Sequence, residues 1–522
     1  MSPLRCILLV GEGNFSFSAS LCQSLSGSDT VVTATCLQQE NEALRHEGSA
    51  DNIHIIREAG GTVLFDIDCT KLGECMPLKG HLFHLVIFNF PHCGKKSGVK
   101  KNRELLKNFF LSCVQVLSED GEIHVSLCNG QGGTPADQPK REWHNSWQVA
   151  AMAAEAHLIL SDVRPFETEK YQSYKCTGYR SQDKGFHVEK ALLHVFTRSL
   201  PYIPPQRLTV EETVEEEKVQ YQIPAELSDY MFREFLKSGS VHPVKLVQDF
   251  VLEGLAESWC VSMINETIPF FLSGKHCTIL RSNNWIAKHK MCSLWGISDL
   301  VFRNVPINTW ALPVFHELLL KAVFPSEPDP LKMFCEHLEK LLGPYGVSVS
   351  TEQGDFCIMA QPMGLVGKIF PVKEGECHSF INLCISLNLD LLAVLLFALP
   401  DWRLLWSHDP RFYKQFFVQP SPGAPFCPFS LFPEHFRFDI SFWTGPCWDE
   451  RKFYSVVREA SCGTVQQVKL IDTFSHPDLS QTSYCYRLVY HSHTHALSHT
   501  QALLFHKQLE TMLSTWLQVT VR

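Results

Sequence analysis

The sequence lacks paired cysteines and long apolar runs. Its 20 cysteines are scattered and none forms a C-x-x-C pair, so we expect no metal site and a reducing compartment with most thiols buried. The longest uncharged apolar run, Leu391–Pro400, is about half as long as a bilayer span requires. Leu4–Val10 leads into Gly11 without a small-residue cleavage site, so no signal peptide is expected. These absences predict a soluble intracellular protein of the cytoplasm or nucleus rather than the mitochondrion, with no membrane partner.

The sequence also lacks an excess of positive charge. Its 46 Lys and Arg residues are outnumbered by 55 Asp and Glu residues, for a formal net charge of −9. This balance excludes a protein that holds nucleic acid by bulk charge, so contacts with RNA must come from local patches. The 45% hydrophobic and 19% charged residues exclude global disorder, and 522 residues exceed one ordinary core. We therefore expect two to four domains.

The first 200 residues alternate short apolar runs with helical patterns. Arg103–Leu117 has the apolar spacing of one helix face, and strands separated by helices predict an α/β fold with a doubly wound, Rossmann-like parallel sheet. Leu158–Val163 and Leu192–Phe196 complete the sheet as edge strands. The predicted parallel strands are Cys6–Val10, Val31–Cys36, Val63–Phe65, Leu85–Phe88 and Glu122–Leu127.

The rest of the chain predicts three further regions. Residues 201–240 are rich in proline and glutamate, which is typical of a linker. Residues 241–430 have a mixed pattern, with helices at Val244–Leu255 and around Leu383–Leu396. Residues 431–522 follow the order β-α-β-β-α-β of a ferredoxin-like α+β domain.

A glycine motif follows the first strand directly. Glycines in Gly11-Glu12-Gly13 let the backbone turn tightly, and the following helix start offers free N–H groups to a ligand. Ser16 replaces the third glycine of the dinucleotide fingerprint, which disfavours NAD and leaves S-adenosylmethionine (SAM) as the better candidate. The alternative is an ordinary strand–helix turn.

A second motif, Asn89-Phe90-Pro91-His92, follows the fourth strand. Ligands of open α/β sheets lie beyond the carboxyl ends of neighbouring strands, so this corner should face the glycine loop. Asn89 offers amide donors and acceptors, Pro91 stiffens the turn, and Phe90 offers a stacking surface for an RNA base. His92 is a candidate base, although an isolated histidine here is more often a simple loop residue.

These two motifs, together with Asp66–Leu72 and Trp143…Trp147, resemble the Rossmann-like rRNA uridine-N3 methyltransferase family over Pro3–Leu200. The resemblance implies catalytic residues Asn89, Pro91 and His92 near the target base. An acidic residue usually ends strand two in this family, and Gln38 occupies that position here, with Glu40 nearby. The SAM-binding residues that it implies are Gly11, Glu12, Gly13, Asn14, Phe15, Ser16, Gln38 and Asp68.

The C-terminal region resembles the ferredoxin-fold anticodon-binding domain of mitochondrial-type phenylalanyl-tRNA synthetase. Arg437–Trp443, Val468–Phe474 and Ser483–Arg487 carry this resemblance, which implies contact with tRNA. The implied RNA-binding residues are Lys469, Arg487, His491, His493, His495, Lys507 and Arg522. A metal site formed by the histidines is the weaker alternative. Lysines and arginines at such positions are often only solvated surface charges.

Leu395–Phe412 resembles the end of the class II catalytic core of the same synthetase. The preceding Gly-Leu-Gly-Leu-Glu-Arg of that core is replaced by Ser386–Leu391. Leu391 has no polar group that could hold ATP phosphate, so we expect a degenerate core without aminoacylation activity. Two hypotheses follow: a SAM-dependent RNA methyltransferase, of uridine-N3 type by resemblance and acting on tRNA or rRNA, or a non-catalytic RNA-binding regulator.

Overall fold

The chain divides into two compact units, which are described separately. The first comprises Met1–Tyr202, Pro428–His435 and His495–Leu504, and the second Ile203–Cys427, Phe436–Thr494 and Phe505–Arg522. No helix among the described residues is both long and apolar enough to cross a bilayer. The computed structural model describes residues 5–94, 97–171, 173–175, 188–201, 206, 208–214, 217–223, 233–263, 293–302, 305–327, 329–352, 355–372, 380–418, 422–424, 426–427, 435–478, 481–493 and 495–522.

A mixed seven-stranded sheet forms the centre of the first unit. Its order is β3-β2-β1-β4-β5-β7-β6, in which the first five strands are parallel and β7 runs antiparallel to both neighbours. The predicted doubly wound fold is confirmed. The strands are β1 Arg5–Leu9, β2 Thr30–Thr35, β3 Thr62–Leu64, β4 Phe83–Asn89, β5 Leu117–Leu127, β6 Leu158–Pro165 and β7 Leu192–Arg198.

Two apolar cores cover the two faces of this sheet. Phe109 and Phe110 on one helix pack in a core with Val149 and Ala153 on another. Phe17 and Ile56 belong to the second core. The helices are α1 Ser16–Ser24, α2 Glu40–Ala43, α3 Ser49–Glu58, α4 Val99–Cys113 and α5 Val149–Ala154.

The second unit begins with a hairpin in the segment where composition predicts a linker. Strands β8 Leu208–Val214 and β9 Glu217–Ile223 pair antiparallel. Residues of high β propensity support these strands despite the glutamates between them: Thr209, Val210, Thr213 and Val214 in β8, and Val219, Tyr221 and Ile223 in β9. The domain boundaries near residues 200, 240 and 430 stay predictions.

The largest sheet of the second unit has the order β10-β11-β12-β16-β15-β14-β13 and is antiparallel except for the β10–β11 pair. The helices and strands of this part of the second unit are α6 Pro243–Ala256, β10 Cys260–Met263, β11 Ser293–Phe302, β12 Val314–Pro325, α7 Pro330–Leu342, β13 Val347–Glu352, β14 Asp355–Ala360, β15 Gly364–Val372, β16 Phe380–Asn388, α8 Leu389–Leu396 and α9 Pro410–Val418. The helix predicted around Leu383–Leu396 is half wrong, because the first half of that segment belongs to strand β16.

The segment in which a synthetase would hold ATP phosphate is part of the apolar core here. Leu391 is buried in α8, and Asn388 caps this helix by accepting a hydrogen bond from the Leu391 N–H at 2.9 Å. Asp390 is fully buried, with its carboxylate 3.0 Å from Nδ1 of His316. The segment therefore stabilises the fold and presents no cation to a phosphate group.

The C-terminal elements form the predicted ferredoxin-like arrangement. The sheet order is β18-β19-β17-β20, and the element order β-α-β-β-α-β is confirmed. The elements are β17 Phe436–Trp443, α10 Glu450–Ser461, β18 Val465–Ser475, β19 Thr482–Tyr490, α11 His499–Trp516 and β20 Thr520–Val521.

A buried ion pair joins two parts of the second unit. Asp401 is fully buried, and both of its carboxylate oxygens accept hydrogen bonds from the Arg403 guanidinium at 3.0 Å. Arg403 also donates to the carbonyls of Gly463 and His491, each at 3.1 Å. Arg403 and His493 hold the pKa of Asp401 well below its usual range despite the burial that opposes this shift. The pair therefore fixes the ferredoxin-like sheet against Asp401–Arg403.

We predict that Asp401→Asn lowers the free energy of unfolding by about 3–5 kcal/mol, because it leaves the buried Arg403 guanidinium without a counter-charge. Urea unfolding of the full chain at neutral pH measures this. The matched control is Asp439→Asn, which breaks a similar two-bond contact with Arg487 on the exposed surface. Because water screens the Asp439–Arg487 pair, the urea midpoint of Asp439→Asn should stay at the wild-type value. Equal shifts in the two variants would contradict the prediction.

Candidate active site

The glycine loop begins where β1 ends, between its two neighbouring strands. The Val10 N–H donates to the Ile87 carbonyl of β4, and the Glu12 N–H donates to the Thr35 carbonyl of β2, both at 3.0 Å. Gly11 between them has a φ of +68°, and a Cβ there would lie 2.5 Å from the Phe88 ring. Only glycine satisfies both constraints. The loop therefore turns tightly at the carboxyl edge of the sheet.

Helix α1 starts without a conventional cap. Phe15 at its N-cap position has a φ of 61° and offers no capping side chain. Asn14 Oδ1 instead accepts from the Ser16 N–H, and Glu12 Oε2 accepts from the Ser18 N–H, each at 3.2 Å. The loop's own side chains thus satisfy two of the N–H groups that a helix start leaves free.

Glu12 is the loop residue with the most perturbed ionisation. Burial raises its pKa to about 7, and hydrogen bonds with Ser18 oppose this shift only in part. No lysine or arginine among the described residues forms an ion pair with it. A half-charged carboxylate at neutral pH favours a cationic ligand, since a positive charge offsets the cost of burying the ionised form.

Three of the predicted cofactor residues are occupied by contacts within the protein. Phe15 is fully buried. The Asn14 carbonyl accepts from Asn52 at 2.8 Å. Ser16 Oγ accepts from the Lys175 N–H at 2.9 Å and lies 3.2 Å from the Lys175 carbonyl. These side chains shape the loop, whereas Gly11, Glu12 and Gly13 line its accessible part.

Gln38 and Asp68 lie near the ends of β2 and β3. Gln38 Oε1 is 2.8 Å from Nε2 of His46, so the side chain is an amide held by a histidine where a carboxylate is usual in the family. Asp68 Oδ1 accepts from both the N–H and the hydroxyl of Thr70, at 2.9 and 2.7 Å. That turn fixes the Asp68 carboxylate at the same edge as the glycine loop.

Asn89 ends β4 and has one amide group free for a ligand. Its Oδ1 accepts from the Ser126 hydroxyl of β5 at 2.7 Å, which fixes the orientation of the amide. Its Nδ2 is buried and has no hydrogen-bond partner among the described residues. Because a buried donor without a partner is costly, this atom marks a place where a ligand acceptor would be stabilised.

His92 is exposed beside the corner that buried Pro91 forms. Its Nδ1 accepts from the Gly94 N–H at 2.9 Å, and its ring centroid lies 6.4 Å from that of Trp147. Partial burial lowers its pKa, so the ring is neutral at pH 7 and carries its proton on Nε2. In this arrangement His92 is a hydrogen-bond donor, and its predicted role as a base would require Nδ1 to release Gly94.

Phe90 belongs to an aromatic cluster that joins the two motifs. Its φ is 51°, and its ring lies edge-on to Phe166 at 5.4 Å. Phe166 and Tyr171 in turn stack near Phe17 of α1, at 6.3 and 4.4 Å. Phe90 therefore packs against the protein with at least one ring edge, which limits the stacking on RNA predicted for it.

Sequence reasoning did not find two groups that support this site. Ser126 orients the Asn89 amide, and its place at the carboxyl end of the neighbouring strand is the signal that would have identified it. Phe166 and Tyr171 follow β6 and have no such signal, because their contacts with Phe17 depend on the path of a loop.

The predicted RNA-binding cations lie on the ferredoxin-like sheet and its helix. Lys469, Arg487 and Asp439 stand opposite one another in a row across β18, β19 and β17. Both Arg487 bonds go to Asp439, each at 2.8 Å, so the carboxylate offsets part of this charge. Lys507 is exposed on α11. The Arg522 guanidinium lies 5.4 Å from the centroid of the Trp443 ring.

The histidine residues are less accessible than predicted. His493 lies 3.5 Å from the buried Asp401, with a side chain that is only 10% exposed, and its ring is 4.4 Å from that of His491. These two histidines support the Asp401–Arg403 pair, which counts against phosphate contacts through them. His495 is half-buried. In the part of the chain that the structure describes, no group of three or more His, Cys, Asp or Glu residues is placed to hold a metal ion.

Two family models match parts of the chain. Residues 8–178 match the family described as rRNA (uridine-N3-)-methyltransferase BTM5-like. Residues 430–522 match the ferredoxin-fold anticodon binding domain. The chain thus combines a methyltransferase-like domain with an anticodon-binding type of domain, as the two resemblances implied.

Curated proteins resemble either the whole chain or its end. Ferredoxin-fold anticodon-binding domain-containing protein 1 of Homo sapiens is 34% identical over 632 residues, with all of both chains covered. The mitochondrial phenylalanine–tRNA ligase of Mus musculus is 38% identical over 141 residues, which cover 27% of this chain and 31% of that enzyme. Among solved structures, a TehB-like SAM-dependent methyltransferase from Corynebacterium glutamicum is 13% identical, covers 38% of this chain and 82% of its own, and has a TM-score of 0.22.

We predict that Gly11→Ala destabilises the chain by about 1–3 kcal/mol more than Gly27→Ala, because only the first Cβ overlaps a packed ring. Both glycines have positive φ, +68° and +83°, so both variants bear the backbone strain, but nothing lies within 4 Å of a Cβ at Gly27. Urea unfolding of the two variants measures the difference. Similar midpoints would show that Phe88 moves aside freely.

Proposed function

The chain belongs to the family of ferredoxin-fold anticodon-binding domain-containing proteins, and from this premise we propose that it is a SAM-dependent RNA methyltransferase. The target atom is N3 of a uridine, the specificity that the BTM5-like family description carries. The RNA is a tRNA or an rRNA. The pocket lies between the glycine loop after β1 and the Asn89 corner after β4.

One observation carries the proposal: a buried amide donor without a partner faces the same sheet edge as an acidic loop. Asn89 Nδ2 has no partner among the described residues, and Glu12 follows the neighbouring strand β1. Because position 11 has no room for a side chain, the Gly11 backbone stays accessible to a ligand. The carboxylate and the open backbone suit a cationic nucleoside, and the amide donor suits an acceptor atom on the target base beside it.

SAM fits these residues. Its positively charged methionine part suits the Glu12 carboxylate beside Gly11 and Gly13, and the adenine amino group suits the Asp68 carboxylate. Gln38 offers its amide to the ribose hydroxyls. When bound, SAM supplies a methyl group on a sulfonium sulfur, which is a good leaving group. The protein's part is then to position an acceptor nitrogen in line with that methyl.

The chemical step is a single displacement. With SAM held by Gly11, Glu12 and Gly13, methyl transfer to uridine N3 would break the carbon–sulfur bond as the carbon–nitrogen bond formed, would leave the bonding electron pair on sulfur, and would release the N3 proton to water. Loss of that proton places negative charge on the neighbouring carbonyl oxygens of the base. Asn89 Nδ2 and the Nε2–H of His92 are the donors available to stabilise this charge. Because the base must leave its stack to enter the pocket, the substrate is a loop or an opened helix.

The ferredoxin-like domain supplies additional RNA affinity. Lys469 and Arg522 are exposed cations on its sheet side, and Lys507 is exposed on its helix. Covalent connection to the methyltransferase domain raises the effective concentration of the target, so each contact can be weak.

A non-catalytic RNA-binding regulator is the second candidate. The amide of Gln38, held by His46, favours it, since an amide binds ribose hydroxyls less strongly than a carboxylate does. The loss of aminoacylation expected from Leu391, which offers no cation to ATP phosphate, is in keeping with a protein that binds RNA without catalysis.

We predict that SAM binds the full chain and that its Kd falls about fivefold between pH 6 and pH 7. With a pKa of about 7, Glu12 is ionised in roughly a tenth of the molecules at pH 6 and in half of them at pH 7. The cationic ligand pairs with the ionised form, so affinity rises with pH through this window. Isothermal titration calorimetry at the two pH values measures it.

The matched variant is Glu12→Gln, which keeps an acceptor for the Ser18 N–H but cannot ionise. This variant should bind SAM with a larger Kd than the wild type at pH 7, and its Kd should be the same at pH 6 and pH 7. A wild-type Kd without pH dependence would limit Glu12 to capping α1. Absence of any heat with SAM would remove the methyltransferase proposal.

We predict that Asn89→Ala lowers the transfer of labelled methyl groups from SAM to total RNA by about 100-fold or more, as expected when a donor to developing charge is lost. Its SAM affinity should remain within about threefold of wild type, since Asn89 faces the base. Calorimetry and scintillation counting on one preparation give both values.

The control is Asn108→Ala, an exposed asparagine on α4 of the same unit, which should leave both values unchanged. Equal labelling by wild type and Asn89→Ala would favour the regulatory protein instead.

A further inference from the structure

The start of helix α4 has a concentration of exposed lysines. Lys100 and Lys101 lie in its first turn and are exposed, and Lys107 is partly exposed two turns later. Neither Lys100 nor Lys101 has an ion pair or a hydrogen bond from its ammonium group among the described residues. The first turn contains no acidic residue, and exposed Glu104 follows in the next turn without an ion pair to either lysine among the described residues.

This helix start is fastened directly to the Asn89–His92 corner. The Cys93 N–H donates to Asn102 Oδ1 at 3.2 Å, and Cys93 Sγ lies 3.1 Å from the Lys101 carbonyl. Cys93 is the residue after His92. The lysines are therefore carried by a helical turn that contacts the same loop as the candidate base-binding residues.

Arg103 joins the helix to a second loop at the same place. Its guanidinium donates to the carbonyls of His144 and Ser146, both at 2.7 Å. The ring of the next residue, Trp147, is the one that lies beside His92. With its bonds spent on backbone carbonyls, Arg103 is a structural tie, which leaves Lys100 and Lys101 as the free cations. Lys140 and Arg141, which shortly precede His144 in the sequence, are also exposed.

We propose that Lys100 and Lys101, together with Lys140 and Arg141, bind the phosphate backbone of the RNA strand that flanks the target base. This inference rests on the proposed function, because it takes the Asn89 corner as the place where the base enters. A base that leaves its stack keeps its own and its neighbours' phosphates outside the pocket, where cations without partners would meet them.

The placement favours RNA over an acidic protein surface. Lysines are point charges on flexible stems and suit phosphates whose positions vary with sequence. A methyltransferase corner must also hold its substrate strand while the base is turned out. A solvated helix face would serve neither need and would not have to adjoin the corner.

The test compares two double variants that change the net charge equally. Lys100→Gln/Lys101→Gln removes the proposed contacts. Arg5→Gln/Lys79→Gln removes two exposed cations at the opposite edge of the parallel strands. Arg5 is the first residue of β1, and Lys79 shortly precedes β4. Binding of the full chain to a fluorescent oligouridylate of about 20 nucleotides is measured by anisotropy, without SAM, from about 50 to 300 mM KCl.

For two lost contacts with single-stranded RNA, the slope of log K against log[KCl] should become shallower by about 1.4. That corresponds to an affinity roughly 25-fold weaker at 0.1 M salt, with the difference fading towards 1 M. The control should keep the wild-type slope. Equal slopes in the two variants, or a wild type that does not bind the probe, would overturn the proposal. An acidic protein as the true partner would likewise give unchanged slopes.

Failure of the proposed function has a different signature. A chain that binds no SAM would still show the slope change if these lysines hold RNA. A chain that binds SAM and transfers methyl groups with unchanged slopes would retain the function and lose only this surface.

Discussion

The hydrogen-bonded pairing of β1 with β4 decides where every candidate group lies. Their register, with Leu9 opposite Ile87, brings both strands to an end at one level, so the glycine loop and the Asn89 corner start side by side. The pairing also requires a glycine at position 11, because Phe88 from β4 occupies the space that a Cβ would need. Without this register the acidic loop and the unpartnered amide would face different parts of the sheet.

The second constraint is electrostatic and follows from the first. A loop held tightly between β2 and β4 buries the Glu12 carboxylate, and burial raises its pKa to about 7. Because this pKa is above the ordinary value of about 4.3, the folded state binds a proton more tightly than the unfolded state does. Glu12 therefore lowers stability as pH rises from about 4 to 7. A bound cation would offset that cost, so the destabilised carboxylate is better explained by a ligand than by helix capping alone.

Local patterns predicted the elements, and long-range contacts account for part of what they missed. The apolar runs at Cys6–Val10 and Leu85–Phe88 correspond to β1 and β4, and strand adjacency then placed Gly11 near Asn89. From Ile385 to Leu391 apolar residues alternate with Ser386, Asn388 and Asp390, which is the period of a strand, and the continuously apolar run begins only at Leu391. The first half of this segment therefore has a local signal for β16 that the prediction of one helix overlooked. The bond of Ser16 to Lys175 and the contact of His493 with Asp401 join distant residues. In both cases a predicted ligand residue contacts another part of the protein instead, and neither contact has a local signal in the sequence.

The synthetase-like region is best understood through its buried charges. Leu391 lies in the apolar core, whereas Asp401 is buried together with Arg403 at a desolvation cost. Burying such a pair is a poor way to gain stability, since well-packed apolar residues do as well. What the pair provides is direction: the guanidinium can bond to the Gly463 and His491 carbonyls in one orientation only. The buried pair therefore holds the anticodon-binding type of domain in a fixed orientation within the second unit, a structural role that needs no nucleotide site.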